Sequence, residues 1–180
     1  MNRKPKMLMA ALIAVSQSYA AKESIDTLKT YELQNVQVTS TRAGKHTPMA
    51  FSTLNKDQIK KINHGQDIPF LLSLTPSVTT TSDAGNGIGY TSLKVRGTDP
   101  SRINFTANGI PVNDAESSQV FFVNMSDFMS SVKDLQIQRG VGTSTNGSAA
   151  FGATVNMQTD APSLYPYLNF NASAGSYATH

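Results

Sequence analysis

Apolar and polar residues alternate with a period of two in short runs at 35–42, 93–96, 135–139, 153–157 and 168–174, and that period predicts half-buried strands. Residues 50–54, 77–81 and 103–107 also read as extended. The last of these leads into Asn108-Gly109 and then Ile110, Pro111 and Val112. Asn-Gly suits a type I′ turn, whose two central residues both need positive φ, so a hairpin is expected here. Pro111 lacks the N–H that a central ladder requires and confines the return strand to an edge or a short run. Between strands, Asn55 can cap a helix, with Gln58 three residues on, Ile59 and Ile62 on one face and Gly65 as the stop. Asp67 as N-cap, Pro69 in the first turn and Phe70, Leu71, Leu72 and Leu74 for burial predict a second short helix that Pro76 ends. Ser126 can cap a third, running to Val132. Residues 83–89 and 140–152 are glycine-rich loops, and 162–166 reads as a linker. The sum is an α+β chain, a small mixed β-sheet with short helices.

The amino-terminal end has a different pattern. Arg3, Lys4 and Lys6 precede an apolar run over 7–15 and a small-residue exit at Ser18, Tyr19 and Ala20, the order of a secretory signal peptide cleaved after Ala20. The run is well below the roughly 20 residues of a membrane-spanning helix. Residues 21–34 carry no period and are expected to be a mobile lead-in. Fifteen Lys and Arg face twelve Asp and Glu; three of the fifteen are Arg3, Lys4 and Lys6, so after cleavage twelve face twelve. A neutral mature chain with no basic stripe excludes a nucleic-acid binder, which needs clustered cations for phosphates. The absence of cysteine excludes disulfides and a lipid-modified terminus. At 180 residues one domain with its own core is expected.

No catalytic constellation stands out along the chain. The run from Gly142 to Ser148 has the spacing of a phosphate loop, but Ser148 stands where the lysine belongs. Gly85, Gly87 and Gly89 do not form a dinucleotide fingerprint. His46, His64 and His180 are isolated and lack ligand spacing, so no metal site is expected. No serine sits in a strand, elbow and helix context that would make it a nucleophile. The expectation is a protein that is not an enzyme and holds no cofactor.

Six runs occur in a fixed order: VQVTSTR at 36–42, TPSV at 75–78, VRG at 95–97, NGIPVND at 108–114, IQRG at 137–140 and FGATVNM at 151–157. In that order and spacing, over 36 to about 160, they resemble the plug domains of TonB-dependent outer-membrane transporters. The resemblance implies a plug that folds inside a 22-stranded barrel, here cut off where the barrel begins, and so the organisation 1–20 signal peptide, 21–45 leader, 46–162 plug, and 163–180 linker and first barrel strand. It further implies that Val36, Gln37, Val38 and Thr39 are a TonB box, an extended strand that pairs with the C-terminal domain of the periplasmic coupling protein TonB. The plain alternative is that the same run is the plug's own edge strand. Arg96 and Arg139 correspond to arginines that meet barrel carboxylates; without the barrel, solvated strand ends are the plain alternative. Asp83, Asn86, Tyr90, Glu116, Gln119 and Phe121, with Phe122, lie by resemblance toward the extracellular mouth, where cargo arrives. Phe121 and Phe122 are at least as compatible with core or barrel packing. Through its barrel such a protein belongs to the outer membrane, whereas these 180 residues alone would be periplasmic. By the resemblance, the short interval before Val36 leaves no room for the amino-terminal extensions of the family's glycan-importing and surface-signalling branches, which implies an iron complex, a siderophore or haem, as the first choice of cargo, with cobalamin, nickel complexes and oligosaccharides as alternatives. The rival is a soluble periplasmic or cell-surface ligand-binding domain without a transport role.

Overall fold

The structure, a computed structural model, describes residues 42–44, 46–142, 150–163 and 165–168. The signal-peptide pattern, the run 36–39, most of the 140–152 loop and the alternation over 169–174 lie outside the described residues.

A five-stranded mixed sheet organises the chain. Its strands are β1 (Ala50–Asn55), β4 (Ile103–Ala107), β5 (Ile110–Pro111), β6 (Val132–Arg139) and β7 (Ala153–Thr159), in the order β1-β6-β7-β4-β5. All neighbours are antiparallel except β4 and β7, which are parallel. A separate antiparallel pair is made by β2 (Val78–Ser82) and β3 (Thr91–Val95). The α+β class read from the sequence is therefore the one observed. Among the described residues no helix is long and apolar enough to cross a membrane.

Local chemistry accounts for the elements. In α1 (Lys56–Ile62) the Asn55 side chain accepts from the Gln58 N–H while the Gln58 side chain accepts from the Asn55 N–H, each at 2.9 Å, a complete capping box. Asn63, rather than Gly65, closes that helix. The β4–β5 hairpin turns through Asn108 (φ 52°) and Gly109 (φ 84°), the positive pair that a type I′ turn requires. The Asn108 side chain also exchanges two hydrogen bonds with Thr159, joining the turn to β7. Pro111 lies at the sheet edge, where its missing donor costs nothing.

Strand parity divides the sheet into an apolar and a polar face. Ile103, Phe105, Leu135, Ile137, Val155 and Met157 face Ile59, Leu72, Leu93, Phe122 and Met129 in one continuous core, where each fully buried aliphatic side chain contributes roughly 1.5–3 kcal/mol. The alternate residues Asn104, Thr106, Gln136, Gln138, Thr154, Asn156 and Gln158 form the other face, and they too are buried. Most buried polar groups are hydrogen-bonded, and pairs such as Thr106 Oγ1 to Asn156 Oδ1 at 2.5 Å serve that need, while the Thr154 hydroxyl has no partner among the described residues.

Further expectations fail. Leu74 is 85% exposed, not buried, because α2 (Ile68–Leu71) ends before it and the chain turns through residues 72–77 with Ser77 in the left-handed region. Ser126 caps no α-helix. The segment forms two 3-10 turns, Phe122–Met125 and Phe128–Ser131, broken by Asp127 at φ 54°. Aspartate tolerates that conformation, and no run of helical residues is left long enough for an α-helix.

Candidate functional site

A recess of about 200 Å³ opens where the β2–β3 connection meets the segment 119–123. Its wall includes Thr81, Asp83, Tyr90, Gln119 and Phe121, and its floor includes Phe105 and Phe122. Four of the sequence-predicted cargo residues, Asp83, Tyr90, Gln119 and Phe121, are thus brought together, while Asn86 and Glu116 do not line it. Tyr90 is 70% exposed and Phe121 49%. Phe122 belongs to the core, with its ring edge-on to Phe105 at 5.2 Å between centroids and 74° between planes.

The segment 113–119 is a self-capped loop fixed to β4. The Asn113 side chain accepts from the Phe105 N–H at 2.8 Å and donates to the carbonyls of Ile103 (2.9 Å) and Ser118 (2.8 Å). The Asp114 carboxylate accepts from the N–H and the hydroxyl of Ser117 and from the N–H of Glu116. Those bonds, the Ser117 N–H first, hold its pKa below the ordinary carboxylate range. Asn113 lay within the motif that the sequence singled out, yet only the fold reveals that it anchors the recess wall.

On the polar face of the sheet the chain ahead of β1 is tied down. Gln136 Oε1 accepts from the Ala43 N–H at 2.8 Å, and Gln136 Nε2 donates to the Ala43 carbonyl at 3.0 Å. Both bonds are buried, and they span 93 residues of sequence. Arg42 adds an ion pair with Asp134 and a 3.5 Å bond to the Asn156 carbonyl. Sequence reading missed this clamp, since the alternation of Leu135, Gln136 and Ile137 reports a polar face without saying what covers it.

The Arg96 side chain lies beside Gly140, the residue that follows Arg139. A Cβ on Gly140 would lie 3.3 Å from Arg96 Nη1. Arg96 is exposed with φ 52°, and Arg139 is half-buried, donating to Ser52 Oγ at 3.0 Å and to the Pro76 carbonyl at 3.5 Å. The ion pairs among the described residues are Arg42 with Asp134 and Lys56 with Asp160, and neither arginine takes part. His46 and His64 are exposed, and no group of His, Asp and Glu able to hold a metal occurs among the described residues.

The family model described as the TonB-dependent receptor plug domain matches residues 43–154. Among solved structures, the chain is similar to the siderophore receptor PirA from Acinetobacter baumannii (19% identity over 71% of this chain and 18% of that one, TM-score 0.48). It is also similar to the alcaligin outer-membrane receptor FauA from Bordetella pertussis (23%, 65% and 19%, TM-score 0.46). A third is the ferric yersiniabactin uptake receptor FyuA from Yersinia pestis (14%, 63% and 17%, TM-score 0.46). The chain therefore spans less than a fifth of the length of these proteins. Among curated proteins, none matches.

Proposed function

We propose, since this chain belongs to the family of TonB-dependent receptor plug domains, that it is the gate and energy-coupling segment of an outer-membrane transporter. The family match over 43–154 carries this reading. Residues 46–162 fill the lumen of a β-barrel formed by the rest of the protein, in keeping with the rule that barrels of some 22 strands are plugged. Arg96 and Arg139 meet carboxylates of the barrel wall, since a guanidinium removed from water needs such a partner. A signal peptide over residues 1–20 exports the protein.

Energy enters through Val36, Gln37, Val38 and Thr39. An extended strand offers main-chain donors and acceptors to the edge of a TonB sheet, so affinity comes from ladder bonds. Four residues beyond Thr39, the clamp of Ala43 by Gln136 ties the leader to a central strand of the plug. Traction on the leader is then delivered to β6 rather than dissipated along a loose tether.

Cargo enters at the recess of Asp83, Tyr90, Gln119 and Phe121. Its volume of about 200 Å³ is below the roughly 300–1,000 Å³ of a complete small-molecule site, so the plug supplies one wall and the barrel the others. Exposed aromatic faces beside hydrogen-bonding groups suit the rim of a compact, ring-bearing iron complex, a siderophore or haem.

The test is Val38→Pro in the full-length protein, which removes a ladder donor. Iron uptake from the single iron source that supports growth is expected to be lost, while binding of that complex at the cell surface is retained. Uptake at the wild-type rate would end the coupling role of this strand.

A further inference from the structure

Asp67 is a buried carboxylate for which the gate reading has no task. It is 3% exposed and precedes α2 in the N-cap position, yet its side chain makes no cap bond. The reason is local. A capping side chain serves the N–H of the second or third helical residue; here the second is Pro69, which has none, and the N–H of Phe70 is taken by the Asp67 carbonyl at 3.0 Å. The carboxylate is thereby released from helix capping, and its Oδ2 accepts from the buried Thr91 hydroxyl at 2.8 Å, 24 residues away.

The same short segment holds the β2–β3 connection at two more points. The Asp67 N–H donates to the Gly87 carbonyl at 2.9 Å, and Gln66 Nε2 donates to the Asn86 carbonyl at 3.2 Å. The ring of Phe70 lies so close that a Cβ on Gly87 would fall 2.8 Å from it. Residues 86, 87 and 91 are thus pinned, and the stretch 88–90 between them carries Tyr90 into the recess.

We propose that Asp67 is a positioning residue for cargo: it touches no ligand, but by fixing Gly87 and Thr91 it sets where Tyr90 and Asp83 stand at the mouth of the recess. This rests on the cargo reading of that recess. A buried acceptor left with a single designated donor is costly unless the bond forms, so the contact selects one conformation of the loop, and ordering the loop before cargo arrives lowers the entropic cost of binding.

The experiment uses the full-length protein with a nitroxide at Ile88→Cys and, as control, at Lys60→Cys on the exposed side of α1. Asp67→Ala and Thr91→Val are expected to mobilise the label at 88 and leave the control unchanged. Asp67→Asn, whose amide oxygen can accept the same bond, is expected to restore the wild-type spectrum. Haemin and the ferric complexes of one catecholate and one trihydroxamate siderophore serve as binding probes. For the probe that binds wild type, Asp67→Ala is expected to raise the half-saturating concentration on the order of tenfold, the scale of losing preorganisation in a short loop, with the number of sites unchanged. An unmoved label at 88, a control that moves with it, an Asn variant as mobile as Ala, or an unchanged half-saturation would each overturn the proposal. Wild type that binds none of the probes sinks the cargo reading and this inference together, a failure recognisable without any Asp67 variant.

Discussion

At the scale of single residues, the side chains that matter most are polar groups buried against backbone. Gln136 satisfies both the N–H and the C=O of Ala43, and its Oε1 also accepts from Gln138 Nε2. Gln136→Leu keeps the volume but strands these groups, at a cost of about 1–3 kcal/mol for each buried group left unsatisfied. The expected outcome is a lower denaturation midpoint with faster tryptic cleavage after Arg42; an unchanged midpoint and cleavage rate would show that the clamp contributes nothing. A second outcome concerns acid. The carboxyls of Asp99 and Asp114 are held ionised by their bonds to Ser101 and Ser117. A folded pKa below the unfolded one means that the stabilising contribution is complete above the unfolded value and is lost as pH falls through the folded one. Protection of the Ser117 amide, its exchange relative to the intrinsic rate at each pH, should persist through the ordinary carboxylate range and be lost only below it, whereas loss of protection near neutrality would contradict this. These roles were hidden in the sequence because alternation assigns Gln136 to a face without saying that another segment covers it. Asp67 read as a cap for the same reason: nothing local shows that Thr91 will be its partner.

Elements were legible where their cause is local. The capping box of Asn55 and Gln58 and the Asn108-Gly109 turn both depend on residues within four positions of each other, and both formed as read. Leu74 and the segment 126–132 were misread because chain direction after α2 and the left-handed Asp127 are set by tertiary packing that no short window contains. The hairpin offers an element-scale check. Gly109 at φ 84° should resist substitution, and Gly109→Val is expected to cost about 1–2 kcal/mol, the penalty for a left-handed residue with a Cβ. A thermal or urea unfolding curve that does not shift would show that the turn relaxes without strain.

For the molecule as a whole, the order of six motifs and the α+β class were readable, and residues 43–154 match the plug family. What the sequence could not convey is the double-sided burial of the sheet, apolar on one face and polar on the other, around which the recess, the leader clamp and the arginine pair are placed. Residues 46–162 are proposed as a gate, and that role can be tested without knowing the cargo. The full-length protein and a variant lacking 46–162 would each be reconstituted into planar lipid bilayers and single-channel conductance recorded. The wild-type protein is expected to be silent and the deletion variant to show large, long-lived openings. A deletion variant as silent as wild type, though folded and inserted, would contradict it.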